Sequence, residues 1–231
     1  MSQIILILLL FQDNTVADKY GNTHSVWAED GEIYYSERTS TGWNPINVNL
    51  SNSPDLTSEN PFVEVSGDSV KVVWDEWQSA GQEVRDIWYR EMQLGGSWVD
   101  PAPVYQSSDD SRYPQIVAGD YVSWAENYGG TNWEIYLKRL STGQVWTDIS
   151  STAERSQFPH ISFHQTSSSV VHFIWTENDV SPYKVTYRQI PVAKTAYYSV
   201  SVGQPEPSPY TIYRDGYIVY PSGIAIDYAY N

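Results

Sequence analysis

Hydrophobic and polar residues alternate in short runs along most of this chain, and the alternation returns at a fixed spacing. Val70, Val72 and Trp74, or Val171, Phe173 and Trp175, put apolar side chains at every second position, the signature of a half-buried β-strand. Each such run closes on Trp-x-Glu: Trp27-Ala28-Glu29, Trp74-Asp75-Glu76, Trp124-Ala125-Glu126 and Trp175-Thr176-Glu177. The chain is therefore built from repeats. Their tryptophans lie 47, 50 and 51 residues apart.

Four strands are predicted per repeat. The first follows Ser-x-x-Pro, as in Ser58-Glu59-Asn60-Pro61, Ser111-Arg112-Tyr113-Pro114 and Ser156-Gln157-Phe158-Pro159; proline fits a strand's first residue, where no ladder donor is lost. The second ends in Trp-x-Glu. The third is rich in β-branched and aromatic residues, at Ile33-Tyr34-Tyr35, Ile87-Trp88-Tyr89-Arg90, Ile135-Tyr136-Leu137-Lys138 and Val185-Thr186-Tyr187-Arg188. The fourth follows a glycine turn and usually a tryptophan, at Gly42-Trp43, Gly96-Ser97-Trp98 and Gly143-Gln144-Val145-Trp146. A four-stranded unit of this length is the period of a β-propeller blade, and is too long for leucine-rich or ankyrin units.

The tail reads as a fifth copy, with strands at Tyr210-Thr211-Ile212-Tyr213, Tyr217-Ile218-Val219-Tyr220 and Ile224-Ala225-Ile226-Asp227-Tyr228, and it ends one strand short. The run Ile4-Ile5-Leu6-Ile7-Leu8-Leu9-Leu10 precedes the first repeat and has no place in it. The expectation is that this run pairs with residues 224–228 and closes a ring of five blades, at about 14–50, 58–105, 111–150, 156–202 and 205–231, which removes two open sheet edges. A secretory signal peptide and an interface strand of a larger assembly are the competing readings. For the former, no Lys or Arg precedes the run and no small-x-small site follows it. Seven residues are too few to span a bilayer, which needs about 20.

Composition narrows the partners. With 28 acidic against 13 basic residues the formal charge is −15, which argues against nucleic acid and anionic membranes and favours cations or neutral ligands. The absence of cysteine excludes disulfides and thiolate-bound metals. Ten Trp and nineteen Tyr are first accounted for by blade-to-blade packing. The Tyr, Asn and Ser content fits a secreted or cell-surface protein, and oligomeric state is not legible.

The run from Tyr113 to Glu126, continuing through Trp133-Glu134-Ile135-Tyr136-Leu137-Lys138-Arg139 to Gly143, resembles a TolB-type propeller repeat. The turns Arg38-Thr39-Ser40-Thr41-Gly42-Trp43 and Leu140-Ser141-Thr142-Gly143-Gln144-Val145-Trp146 resemble degenerate Asp-box hairpins of the sialidase superfamily. The resemblance implies an all-β propeller of four-stranded antiparallel blades, which the repeat count makes five-bladed. It leaves function open, because propellers host enzymes, lectins and scaffolds alike.

In such a blade the end of the second strand and the start of the first share one face. Glu29, Glu76, Glu126 and Glu177 are expected there as a partial ring, with Ser222 in the fifth copy. The structural reading is that each glutamate accepts hydrogen bonds from the Ser-x-x-Pro segment or pairs with a third-strand cation, Arg90, Lys138 or Arg188. The functional reading is a lectin-like mouth for a glycan or protein ligand, in which aromatic rings stack on sugar C–H groups beside amides and carboxylates. Its candidate residues are Glu76, Trp77, Glu126, Asn127, Tyr128, Trp133, Glu177, Asn178 and Tyr183. No metal or cofactor is expected, since no loop has EF-hand spacing and the four His residues read as ordinary polar positions. The alternatives are a purely structural protein-interaction ring and a furanosidase-like glycoside hydrolase working through Asp13, which precedes the first strand of blade one. Inverting hydrolysis would need a second carboxyl about 6.5–9.5 Å away. Serine-hydrolase, zincin and P-loop signatures are absent.

Overall fold

The computed structural model describes residues 14–82, 84–130, 132–165, 169–177 and 184–192, with short strands at 211–212, 218–219 and 225–226. Every regular element among them is a β-strand. The sheets are antiparallel hairpin stacks in chain order, as local pairing of short alternating strands dictates.

The first sheet holds β1 (Thr15–Ala17), β2 (Thr23–Glu29), β3 (Glu32–Thr39), β4 (Gly42–Trp43) and β5 (Val48–Asn49), with both β4 and β5 on the outer side of β3. Pro45 lies between these two pieces; proline cannot donate to a ladder, which splits the outer strand in two. The second sheet is β6 (Ser58–Ser66), β7 (Ser69–Trp77), β8 (Arg85–Gln93) and β9 (Ala102–Tyr105). The third is β10 (Asp110–Val117), β11 (Tyr121–Tyr128), β12 (Asn132–Arg139) and β13 (Val145–Trp146). Then come β14 (Ser156–Gln165), β15 (Ser169–Glu177) and β16 (Lys184–Pro191), and last β17 (Thr211–Ile212), β18 (Ile218–Val219) and β19 (Ala225–Ile226). The predicted three strands of the tail are therefore present. Residues 4–10, the expected partner of the last of them, lie outside the described residues.

The outer strand of the second sheet follows Gly96-Ser97-Trp98 and lies at Ala102–Tyr105. Trp98 itself stays out of the ladder and sets its ring edge-on to Tyr35 of the first sheet, centroids 4.9 Å apart.

Contact clustering divides the chain into two compact units, residues 1–161 with 174–186, and 162–173 with 187–231. Within the first unit the core lies between sheets. Val26, Ile33, Tyr35 and Leu50 of the first repeat pack with Val63, Val70, Val72 and Trp74 of the second. Val73, Ile87 and Val104 of the second pack with Ile116, Val122, Trp124 and Tyr136 of the third. Trp74 and Trp124 are thus plugs driven into the preceding repeat.

Polar clamps repeat across the same seams. Lys138 Nζ donates to Val104 O at 2.6 Å, and Arg90 Nη1 to Asn49 O and Leu50 O at 3.3 and 3.1 Å. These two third-strand cations therefore cap outer-strand carbonyls of the preceding repeat rather than pairing with the motif glutamates. Gly119 N donates to Glu64 Oε2 and Gly119 O accepts from Lys71 Nζ, both at 2.6 Å. Gly119 has φ +61°, and a Cβ there would sit 2.9 Å from Ser66 Cβ. Gly119→Ala is expected to cost about 1–3 kcal/mol, read as a lower urea midpoint with unchanged slope.

Candidate functional site

The start of each first strand and the end of each second strand meet, since Ser58 pairs with Glu76 and Ser111 with Glu126. At this end of the repeats the structure shows a hydrogen-bonded scaffold and, beside it, an aromatic surface.

The scaffold is made by the motif glutamates. Glu76 Oε2 accepts from Ser58 Oγ at 2.7 Å, Ser53 Oγ at 2.8 Å and Trp74 Nε1 at 3.3 Å. Glu126 accepts from Ser111 Oγ at 2.5 Å, Ser107 Oγ at 2.7 Å and Trp124 Nε1 at 2.7 Å. Trp175 Nε1 likewise donates to Glu177, at 3.2 Å. All three carboxylates are buried. Burial holds Glu126 above the ordinary carboxylate range even against its three donors. Ser58 and Ser111 are the serines of Ser-x-x-Pro, as the structural reading expects. Glu29 differs: it is exposed, and it accepts from Trp27 Nε1 at 3.1 Å.

A second set of acids, missed in the sequence, stands directly across the hairpins. Glu32, Asp86 and Glu134 pair in register with Glu29, Glu76 and Glu126. Glu32 accepts from Ser51 Oγ and from Ser53 N, the latter at 3.1 Å. Asp86 accepts from Ser107 N at 3.2 Å, and Glu134 from Ser150 Oγ and Thr152 N. Ser53 and Ser107 therefore bridge an acid of their own repeat to the motif glutamate of the next. The signal was available, since an acid precedes Ile33, Ile87 and Ile135 alike.

A third feature breaks the repeat. Where other copies have Ala28, Ala125 or Thr176, the second has Asp75, which has no exposed surface. Its Oδ1 accepts from Arg85 Nη1 at 2.9 Å, and its Oδ2 from Asn60 Nδ2 at 2.9 Å and Tyr113 N at 3.0 Å. Arg85 also reaches Glu59 at 2.6 Å. Burial pushes the Asp75 carboxyl up to about 6 against the pull of that guanidinium. Burial also opposes the charge on Arg85, but Asp75 and Glu59 together outweigh it and hold its pKa above the usual value. A carboxyl near neutrality could serve acid–base chemistry. Sealed and fully engaged, Asp75 instead holds two strand starts together.

Those starts are strained. Asn60, Tyr113 and Phe158 each precede the motif proline, and each has positive φ, at 50°, 59° and 54°. A residue before proline is normally driven to extended conformations, and positive φ at a non-glycine costs about 1–3 kcal/mol. Register shifts mark the first two as bulges. The consequence is that side chains of neighbouring repeats are turned toward each other. The Tyr113 and Phe158 rings lie 4.3 Å apart, tilted by 38°, and Phe158 is 39% exposed.

The remaining sequence candidates are dispersed. Trp133 is buried, with the guanidiniums of Arg112 and Arg155 each 5.7 Å from its ring. Trp77 is half-buried and its indole nitrogen makes no hydrogen bond, and the same holds for Asn127 Oδ1. Tyr128 is 65% exposed. Asp13, Asn178 and Tyr183 lie outside the described residues.

Among solved structures, the chain matches an ulvan lyase from a new polysaccharide lyase family with TM-score 0.54 at 9% identity, over 76% of this chain and 51% of that one. It also matches a Hadza microbial sialidase with TM-score 0.53 at 11% identity, over 76% of this chain and 43% of that one. The chain is a β-propeller. A TolB protein from Agrobacterium tumefaciens matches at TM-score 0.47 and 16% identity, over 78% of this propeller and 64% of that chain. The propeller spans about half the length of the first structures it matches. No family model and no curated relative matches the sequence.

Proposed function

We propose that the chain is a five-bladed propeller closed by residues 4–10 on the last blade, and that it is a non-catalytic carbohydrate-binding module. The observation that carries the binding reading is the Tyr113–Phe158 pair, which backbone strain aims outward at adjacent strand starts. Strain of this kind clusters at functional sites, and an exposed aromatic pair is suited to the C–H face of a sugar. Asn60 and Glu59 supply polar groups beside it, and Trp77, Asn127 and Tyr128 extend the surface along the second-strand ends.

Neutral glycans are the favoured class. The overall charge of −15 repels polyanions, and Arg85 is already paired with Asp75 and Glu59. Two structural neighbours act on glycans by name, a polysaccharide lyase and a sialidase; the fold likeness makes a sugar ligand a natural first test. A secreted or cell-surface setting accords with this role.

On an array of neutral and acidic glycans, the protein is expected to bind a neutral subset. Tyr113→Ala and Phe158→Ala should each weaken that binding at least about tenfold, the loss of one good aromatic contact, while circular dichroism stays unchanged. A blank array, or binding untouched by both substitutions, overturns the reading.

A further inference from the structure

We propose that Asp18, His24 and Glu37 form a binding site for a divalent transition-metal ion on the first sheet. Their ligand atoms lie within 4.8 Å of one another. His24 is fully buried, and its Nε2 makes no hydrogen bond although Asp18 Oδ2 is 3.4 Å away. A buried imidazole nitrogen facing two carboxylates is an arrangement that a cation would complete.

The surroundings orient all three donors. His24 Nδ1 is 2.7 Å from the Tyr35 hydroxyl; with Nδ1–H donating to it, the lone pair stands on Nε2 and points at Asp18. Such an outer hydrogen bond is what fixes a metal-binding imidazole. Asp18 is held by Tyr20 N and Asn22 N on Oδ1, at 2.8 and 2.9 Å, and by Asn22 Nδ2 on Oδ2 at 3.0 Å. Burial works against its charge, but these donors outweigh that and keep it below the ordinary carboxylate range. Glu37 is the cross-strand partner of His24.

Comparison along the repeats separates this group from an ordinary ion pair. The equivalent cross-strand pairs are Lys71 with Glu91, an ion pair at 3.1 Å, and Tyr121 with Arg139, whose guanidinium lies 5.5 Å from the ring. Each of those pairs contains a cation of the protein itself. By register, the counterparts of Asp18 are Ser66 and Gly119, which carry no charge. The second repeat also sets Glu64 across from Lys71, but of the first three repeats only the first gathers two acids around a histidine.

One imidazole and two carboxylates favour Zn²⁺, Mn²⁺, Co²⁺ or Ni²⁺ over softer or purely oxygen-bound ions. Two ligands on one Zn²⁺ stand at most about 4.4 Å apart, twice a bond of about 2.2 Å. The 4.8 Å within which all three ligand atoms lie is close to that limit, and the long, half-buried Glu37 side chain is the one of the three able to adjust.

The test titrates the chelator-treated full chain with Zn²⁺ by calorimetry and with Co²⁺ by visible absorption. One ion per chain is expected. Glu37→Gln and Asp18→Asn, both near-isosteric, should each weaken it at least tenfold with the circular dichroism spectrum retained. His172→Gln is the control, because His164 and His172 form a second imidazole pair with ring centroids 6.3 Å apart, and it should leave affinity unchanged. Saturating metal should also raise the unfolding midpoint of the wild type by about 5 °C or more and that of Glu37→Gln by much less. Absence of stoichiometric binding of both ions, or loss in His172→Gln with binding intact in the other two variants, overturns the proposal.

Discussion

Truncating Trp124 to Ala is expected to lower the unfolding free energy by about 4–5 kcal/mol. The indole is fully buried in the seam between the second and third sheets, where its ring lies 4.9 Å from Tyr105 and 5.7 Å from Tyr136. Removing a buried Trp typically costs about 3–5 kcal/mol through lost transfer energy and the cavity left behind. The indole N–H also goes, so the sealed Glu126 loses one of three donors, at about 1 kcal/mol or more. The same substitution at Trp27, half-buried and beside an exposed Glu29, should cost about 1–2 kcal/mol. Urea unfolding followed by fluorescence and circular dichroism measures both. Equal losses at the two positions would mean that burial in the seam is not what the motif supplies.

Raising the pH from 5 to 8 is expected to destabilise the protein, with Asp75 alone responsible for about 1–2 kcal/mol. In the unfolded chain its carboxyl ionises near 4, whereas in the fold burial keeps the proton on until about 6. The folded state therefore binds the extra proton between these values. Its stabilising contribution is complete below the unfolded value and is lost as the pH climbs through the folded one, at about 1.4 kcal/mol per unit. Burial also raises Glu64, Asp86, Asp110, Glu126 and Glu134, in the same direction. Asp120 works oppositely, because Arg139 and Ser141 outweigh its burial and lower it; its contribution fades only as the pH falls through that lowered value. Asp75→Asn removes the titration while Glu59 still pairs with Arg85. Between pH 5 and 8 the variant should lose about 1–2 kcal/mol less than the wild type. Parallel pH profiles for the two proteins would refute the buried-proton account.

The sequence displayed what is local and periodic. Alternation located the strands because a pleat has period two, and the Trp-x-Glu and Ser-x-x-Pro spacings located the repeats. The fold of Trp98 away from its ladder was not visible, because the ring's destination is Tyr35 in another sheet. The positive φ at Asn60, Tyr113 and Phe158 ran against local preference, since residues before proline favour extended backbone; tertiary hydrogen bonds to Asp75 override it at the first two. Asp75 itself was an overlooked clue, a charged residue where three other copies are uncharged. Of the proposed binding residues, Trp77 and Tyr128 were legible as aromatics after a second strand. Tyr113 and Phe158 were legible only as strand starts, because their nearness depends on how neighbouring repeats abut.

The serine bridges give the repeats a polarity. Ser53 and Ser107 each reach forward to the glutamate of the following repeat, so these two seams depend on a side chain that the downstream partner does not own. A change in one linker harms the sheet after it rather than the sheet that carries it. Duplicating or excising a single repeat then leaves a sealed acid without its donor unless the upstream linker is transplanted as well. Heredity in such a molecule passes through junctions, and the smallest unit that can be copied intact is a repeat together with the tail of its predecessor.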